Sequence, residues 1–404
     1  NLRSRKECGM EVPFFDLKRE YANIKDDIDG VLKEVLKSSS FVAGEFVQKF
    51  ENSFSSFCSV KYAIGVTCGT TAVYLALKSL GIGKDDEVIT TTNTFMATAE
   101  AIDLTGARPV FVDIDKDSHN INPKSISRFI EQESIWDKKT KSFVDRMTKK
   151  RIKAIIPVHL YGQMADMKPI MEIADKYGLY VVEDSAQAVG ALYKTDGSFR
   201  KAGSFGKISA FSFYPSKNLG AYGNGGAVVT DNARLAGRVR MLINHGQKKK
   251  YHHNILGWNF KMNGFQGAIL HTKLKYLDEW NEKRREHSAL YNKLFNKVDG
   301  VTTQREMGYG KHIYHLYVVR VKRRDELQRF LKSKGIGTAI HYPIPLHLQK
   351  PFHYLGYKEG SFPVAEKYAE EIISLPMFPE LTEDEIRYVA ANVKKFVEKS
   401  VGSE

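Results

Sequence analysis

From about residue 60 to residue 230, short unbroken apolar runs alternate with longer stretches in which apolar side chains recur every three or four positions. The runs Tyr62-Ala-Ile-Gly-Val66, Glu87-Val-Ile-Thr-Thr91, Pro109-Val-Phe-Val-Asp113, Ala154-Ile-Ile-Pro-Val-His159, Leu179-Tyr-Val-Val-Glu183, Ile208-Ser-Ala-Phe-Ser-Phe213 and Ala227-Val-Val-Thr230 read as strands. Several lack the in-out alternation of a half-exposed strand, which points to burial on both faces, as in a parallel sheet. The periodic stretches read as helices: 24–37, 46–57, a start near Asn93–Ala101, Met167–Tyr177 and Arg234–Ile243. Strand–helix alternation of this kind predicts an α/β domain with a mainly parallel central sheet covered by helices on both faces.

Beyond about residue 250 the pattern changes. A long helical segment is expected over Asn263–Ser288 and on through Leu290–Phe295, a strand at Tyr314–Arg320 and a helix at Arg324–Ser333. Gly337–His347 reads as a strand running into a proline turn, with closing helices at Lys367–Ile373 and Thr382–Val397. Residues 1–250 are therefore assigned to a large α/β domain, with 1–11 as a frayed tail, and 251–404 to a smaller α+β domain. Glu131–Lys150 contains a lysine-rich excursion, Asp137-Lys-Lys-Thr-Lys-Ser, that reads as a surface insertion.

Composition narrows the function. The 42% apolar and 27% charged residues are ordinary for a soluble globular protein. The three cysteines (Cys8, Cys58, Cys68) have neither metal-ligand spacing nor a disulfide framework, which fits a reducing, cytoplasmic setting. No stretch approaches the roughly 20 apolar residues of a membrane span. The formal net charge of +14 is spread along the chain without a nucleic-acid recognition motif, so neither nucleic acid nor membrane is expected as a partner.

Four features carry candidate chemistry. Lys217 sits in a loop with Gly220, Gly223, Gly225 and Gly226, where the backbone is free to bend closely around a ligand. Gly69-Thr70-Thr71 opens a helix directly after a strand, so its N–H groups and dipole suit a phosphate. Phe95 follows a strand end, as either a core aromatic or a stacking ring. At Glu183-Asp184 an apolar strand ends in two acids, read as carboxylates presented to a site, with solvation of one of them as the plainer alternative. Each has a plainer reading alone, but together they match pyridoxal phosphate, which needs a phosphate cup, a stacking surface, a carboxylate at the pyridine nitrogen and a lysine whose amine can be neutral.

On the segments Cys-Gly69-Thr70-Thr71-Ala, Thr94-Phe95, Pro-Val-His159-Leu-Tyr-Gly, Glu-Asp184-Ser-Ala-Gln187-Ala-Val-Gly, Phe-Ser212-Phe-Tyr-Pro-Ser-Lys217-Asn-Leu-Gly, Gly257-Trp-Asn259 and His341-Tyr-Pro-Ile-Pro-Leu-His347, the chain resembles the DegT/DnrJ/StrS family of nucleotide-sugar aminotransferases. The resemblance runs from Pro13 to the last helix. It implies the pyridoxal-phosphate-dependent transferase fold type I, the aspartate-aminotransferase-like fold, and the following roles. Lys217 is the Schiff-base lysine and acid/base, and Asp184 the partner of the pyridinium nitrogen. Gln187 contacts the ring hydroxyl side, Phe95 stacks on the ring, and Gly69, Thr70, Thr71 and Ser212 hold the phosphate. Asn259 reaches the cofactor of a neighbouring subunit, which implies a homodimer with shared active sites. His159, Tyr214, Lys261, His341 and Tyr342 edge the sugar. The implied reaction moves an amino group from an amino acid, glutamate by analogy, to a nucleotide-linked keto-sugar, with a 3-keto substrate favoured by the 341–349 stretch, for surface polysaccharide or glycan. No metal is implied.

Two alternatives within the family are a regulatory member without catalysis and a dehydratase that uses the aminated cofactor. The dehydratases have histidine where Lys217 stands, and a pure binding module needs neither Lys217 nor Asp184. The chain departs from the family at Lys261, where Asn-x-Arg is frequent, at Thr71, where Asp or Ala is usual, and in the length of 131–150. The Lys248–Lys250 run reads as a solvated loop, with a supply of charge for a diphosphate as its functional alternative.

Overall fold

The computed structural model describes residues 10–401; most of the expected N-terminal tail, with Cys8, lies outside them. The central sheet has the strand order Tyr62–Val66, Gly226–Thr230, Ile208–Ser212, Tyr180–Asp184, Arg151–Ile156, Asp86–Thr91, Arg108–Val112. From Ile208–Ser212 to Arg108–Val112 neighbouring strands are parallel, and Gly226–Thr230 alone among these seven runs against its neighbours on both sides. The parallel strands are apolar through most of their length because helices cover both faces, and their side chains fall into separate clusters on the two sides of the sheet. Because six of these strands point the same way, their C-terminal ends share one edge, where an open α/β sheet offers a crevice.

The Glu131–Lys150 excursion is ordered. Ser134–Asp137 and Ser142–Asp145 form an antiparallel hairpin that joins the sheet through a Val144–Arg151 pairing. Trp136 packs edge-on against Phe143, and Phe143 against Tyr177, so aromatic contacts anchor the hairpin to the helix Met167–Tyr177.

The smaller body is a three-stranded antiparallel sheet, Thr302–Thr303, Tyr317–Arg320 and Ile372–Leu375, packed against the helices Leu277–Phe295, Arg324–Ser333 and Glu383–Val401. Three expectations are corrected here. The helix foreseen over 367–373 covers Pro363–Glu371, and Ile372–Leu375 is a strand, its four residues buried beside Tyr317–Arg320. Gly337–His347 forms no strand beyond a bridge between Ala339 and Ser374. The long helical segment is two helices, Gly264–Leu274 and Leu277–Phe295.

That break relocates the division of the chain. Gly264–Leu274 packs against the helix Gly44–Cys58 so closely that a Cβ on Gly267 would stand 2.8 Å from the Val47 backbone. Met262, Leu270 and Leu274 share a cluster with Phe50, Phe54 and Phe213, so the chain stays in the large body to about residue 275 rather than 250. Val12, in turn, packs in the core of the smaller body and bridges to Ile336. Another cluster joins Ala99, Val158 and Tyr161 of the large body to Leu316, Val318 and Phe352, making one continuous core across the cleft.

Candidate active site

A cavity of about 520 Å³ opens at the shared strand ends. Its walls include Gly69, Thr70, Phe95, Asp184, Gln187, Ser212, Tyr214, Lys217, His341 and Tyr342, which are ten of the fourteen residues singled out above. Thr98, Asn224, His315 and Phe14 also line it.

The cup forms where two segments touch. Gly69 is the first residue of the helix Gly69–Ser79, whose first-turn N–H groups have no partner within the helix. A Cβ at Gly69 would lie 2.6 Å from Ser212 Cβ and 2.9 Å from its Oγ, so only glycine lets the helix start and the Ser212 hydroxyl converge. Thr71 does not join them. Its Oγ1 accepts from the Cys68 N–H at 3.0 Å and donates to the Cys68 carbonyl at 2.8 Å, capping the helix. The expectation that it holds a phosphate is corrected: its hydroxyl is occupied locally.

The acid pair divides, and neither acid is in solvent, which removes the plainer alternative. Glu183 is fully buried and points away from the cavity. It accepts from the Gly203, Phe205 and Gly206 N–H groups at 2.7–2.9 Å, from Ser209 Oγ at 3.0 Å, and meets His159 Nε2 at 2.9 Å. Burial pushes the Glu183 carboxyl up, but His159 and the backbone donors outweigh it and hold it low. His159 is itself fully buried, and its Nδ1 accepts from the Ala165 N–H at 3.1 Å. Its expected place at the sugar's edge is therefore corrected: it braces the strand end from behind.

Asp184 faces the cavity. Its Oδ2 accepts from Thr98 Oγ1 at 2.7 Å and its Oδ1 from the Ala186 N–H at 3.1 Å. Thr94 Oγ1 stands 3.1 Å from Thr98 Oγ1, extending the chain of hydroxyls. Burial raises the Asp184 carboxyl, opposed by the Thr98 hydroxyl, the Ala186 N–H and the charge of Lys217.

Lys217 lies on a tightly folded loop. Its N–H donates to the Tyr214 carbonyl at 2.8 Å, and a Cβ on Gly220 would lie 2.2 Å from the Pro215 carbonyl oxygen. The buried Lys273 donates to the Gly220 carbonyl at 2.6 Å and pairs with Glu20, pinning the loop from below. Burial pushes the Lys217 amine down to about 8, with Asp184 pulling it back up. A lysine so placed has an appreciable neutral fraction near pH 7, which makes it a nucleophile and a proton carrier.

Phe95 is 57% exposed at the mouth, its ring 5.8 Å from that of Tyr342. That exposure decides against the core reading: a large ring left open over a cavity offers a stacking face. Gln187 Oε1 accepts from the Tyr161 N–H at 2.7 Å while its Nε2 reaches Tyr342 Oη at 3.1 Å, so its orientation is set. Tyr161 Oη donates to the His341 carbonyl, and His341 Nδ1 lies 2.8 Å from Ser374 Oγ. Burial and the Lys217 charge push His341 down to about 4, which keeps it neutral.

Two predicted residues lie elsewhere on this chain. Asn259 is exposed and bridges to Asn244; Lys261 Nζ donates to Asn244 Oδ1 at 2.8 Å. Neither lines the cavity of its own chain. The Lys248–Lys250 run is an exposed hairpin, again away from the cavity wall. Thr98, Tyr161 and His315 were not anticipated. The Thr94-x-x-x-Thr98 spacing at a helix start was the one sequence signal for the first; buried partners decide the other two.

Among the described residues no cluster of three or more metal-ligating side chains forms, and no helix is long and apolar enough to cross a membrane.

The model of the DegT/DnrJ/EryC1/StrS aminotransferase family matches residues 22–394. Over 389 residues the chain is 45% identical to a "Pleiotropic regulatory protein" of Geobacillus stearothermophilus, covering 96% of this chain and 99% of that one. Over 398 residues it is 38% identical to the "dTDP-3-amino-3,4,6-trideoxy-alpha-D-glucose transaminase" of Streptomyces venezuelae, covering 98% and 99%. It is similar in structure to S. venezuelae DesV solved with a ketimine intermediate, at a TM-score of 0.88 and 38% identity over 96% of this chain and 99% of that one.

Proposed function

The chain belongs to the DegT/DnrJ/EryC1/StrS aminotransferase family, and on that premise we propose that it transfers an amino group from an amino acid, glutamate first, to a nucleotide-linked keto-sugar. The favoured acceptor carries its ketone at C3, as the name of the 38% identical transaminase suggests for that enzyme's reaction. The product serves surface polysaccharide or glycan assembly in the cytoplasm. One observation carries the reading: a half-buried lysine and a buried carboxylate line a single cavity, beside a glycine–serine cup that has no room for a larger residue.

Those residues fit pyridoxal phosphate, the cofactor of the family. Gly69, Thr70 and Ser212 would hold its phosphate, Phe95 would cover its ring, Gln187 would meet the ring hydroxyl side, and Asp184 would hold a proton at the ring nitrogen. When bound, the cofactor supplies an electron sink for the carbon that loses its proton. Lys217 would anchor the cofactor through its amine and, once released, would carry the proton at the reacting carbon. His341, Tyr342 and Tyr214 stand where the sugar enters. Asn259 and Lys261, which face away from their own cavity, would serve the site of a second copy, so the working unit is a homodimer. Lysine rather than arginine at 261 offers that site a point charge instead of a bidentate fork.

A regulatory reading has one observation in its favour, the name of the 45% identical relative. It gives no reason for a lysine held near neutrality opposite a buried acid. The test is a donor and acceptor screen with 3-keto and 4-keto nucleotide sugars, the aminated carbon assigned by NMR. Lys217→Ala is expected to abolish turnover and covalent retention of the cofactor. An active Lys217→Ala protein, or a wild-type protein inert toward every acceptor, would sink the assignment.

A further inference from the structure

Behind Lys217 a pair of side-chain amides runs from the helix Leu277–Phe295 to the loop 313–316. Asn281 donates from Nδ2 to the Val189 carbonyl at 3.0 Å. Its Oδ1 accepts from Asn218 Nδ2 at 2.7 Å, and the same Nδ2 reaches the Ile313 carbonyl at 3.3 Å. Two backbone carbonyls thereby settle which end of each amide is nitrogen. A flipped Asn218 would set its oxygen against Asn281 Oδ1 and the Ile313 carbonyl with no proton between them.

The remaining atom, Asn218 Oδ1, lies 3.0 Å from His315 Nδ1. An amide oxygen only accepts, so His315 carries its proton on Nδ1. Burial pushes the imidazole well below its usual range, and Lys217, Arg284, His341 and His312 all act against a second proton. The ring is therefore neutral, and Nε2 is a bare lone pair. Among the described residues no protein group is bonded to it, while the ring lines the same cavity as Lys217.

We propose that His315 is a positioning residue for Lys217: the two line one cavity without a hydrogen bond between them in this structure, and the bare Nε2, oriented by the Asn281–Asn218 pair, accepts an N–H from the Lys217 amine when the lysine side chain turns toward it. Asn218 is the chain neighbour of Lys217, so one dipeptide both carries the amine and sets the tautomer of its acceptor. An acceptor that cannot donate leaves the nitrogen lone pair free for the ligand. An imidazolium there would repel the ammonium form. This inference rests on Lys217 being the working lysine.

Three variants test it. Borohydride treatment of the wild-type protein loaded with pyridoxal phosphate, followed by peptide mass spectrometry, first establishes attachment at Lys217; no label there refutes the lysine reading itself. The pH dependence of Lys217 acylation is then measured in cofactor-free protein. His315→Phe removes the acceptor but keeps a flat ring. Its midpoint is expected to fall by about half a unit or more, because the ammonium loses a partner. Its kcat is expected to fall about tenfold or more with the donor KM within about twofold, because the amine is no longer aimed. His315→Gln, whose side-chain oxygen can accept, is expected to recover most of both. Asn218→Asp cannot donate to Asn281 and favours a doubly protonated ring, so it is expected to lower the midpoint and kcat with His315 intact. A wild-type midpoint and kcat in His315→Phe, or equal losses in Phe and Gln with no change of midpoint, would overturn the proposal. Should His315→Phe fail to fold, the midpoints of His315→Gln and Asn218→Asp decide.

Discussion

Thr98→Val isolates the hydroxyl that holds Asp184. The change keeps shape and β-branching while deleting the donor 2.7 Å from Oδ2. Asp184 is buried, and among the described residues the other donor to its carboxylate is the Ala186 N–H at 3.1 Å, so water does not readily replace the lost bond. A hydrogen bond to a charged group contributes about 1.5–3 kcal/mol. The loss is expected to raise the Asp184 carboxyl further, by about one to two pKa units. A protonated Asp184 cannot hold a proton at the cofactor's ring nitrogen, so the damage falls on the electron sink. Turnover is expected to drop about tenfold to a hundredfold. Thr98→Ser, which keeps the hydroxyl, is the control. The assays are an absorbance titration for cofactor affinity and a single-turnover measurement with the amino donor, each followed across pH 5–9. The losses should shrink as pH rises, because alkali restores the carboxylate. If Thr98→Val matches wild type within about twofold in both assays, or if Thr98→Ser is equally impaired, the hydroxyl does not govern Asp184.

Glu183→Gln should be a stability variant rather than a catalytic one. The amide nitrogen it introduces would face donors, and His159 would lose its carboxylate, so a loss of about 3 kcal/mol or more is expected in urea unfolding. A wild-type unfolding midpoint would show that the Glu183 contacts contribute little. Gly69→Ala places a methyl within 2.6 Å of Ser212 Cβ, and is expected to weaken pyridoxal phosphate far more than the phosphate-free aldehyde; equal weakening of the two would place the effect outside the cup. The protein should also be destabilised by acid. Burial pushes His119 down to about 3 and His341 to about 4, below the value near 6.5 of an unfolded histidine. Between about pH 6.5 and 4 the unfolded chain binds more protons than the native one, so stability falls as pH falls, by up to about 1.4 kcal/mol per pH unit for each such histidine. Urea midpoints at pH 7 and 5 measure this, and an unchanged midpoint would contradict it.

Much of the architecture was legible because buried parallel strands must be apolar on both faces. That requirement exposes Arg108–Val112 and Tyr180–Asp184 as uninterrupted apolar runs with polar residues at their ends. Ile372–Leu375 was missed because its short apolar run adjoins the end of a helix, and only pairing with Tyr317–Arg320 distinguishes the two conformations. The ordered hairpin at 134–145 was hidden for a related reason. Its lysine-rich tip sets the local composition, while its anchors, Phe143 and Tyr177, are distant in sequence.

By itself the sequence determined which chemical groups are present and which elements carry them: a lysine in a glycine loop, an acid at a strand end, a small residue at a helix start. These follow from local backbone requirements and residue chemistry, which neighbours along the chain define. Direction was decided by the tertiary structure alone. Glu183 and Asp184 are adjacent, yet successive side chains of a strand point to opposite faces, so one is locked to His159 and the other opens to the cavity. Thr70 and Thr71 separate in the same way, because the second hydroxyl is drawn into the helix cap. The proton on His315 is set, through the Asn218 and Asn281 amides, by the Val189 and Ile313 carbonyls, which are distant from those amides in sequence. The charge state and aim of a buried group depend on everything packed around it, and that set exists only once the chain has folded.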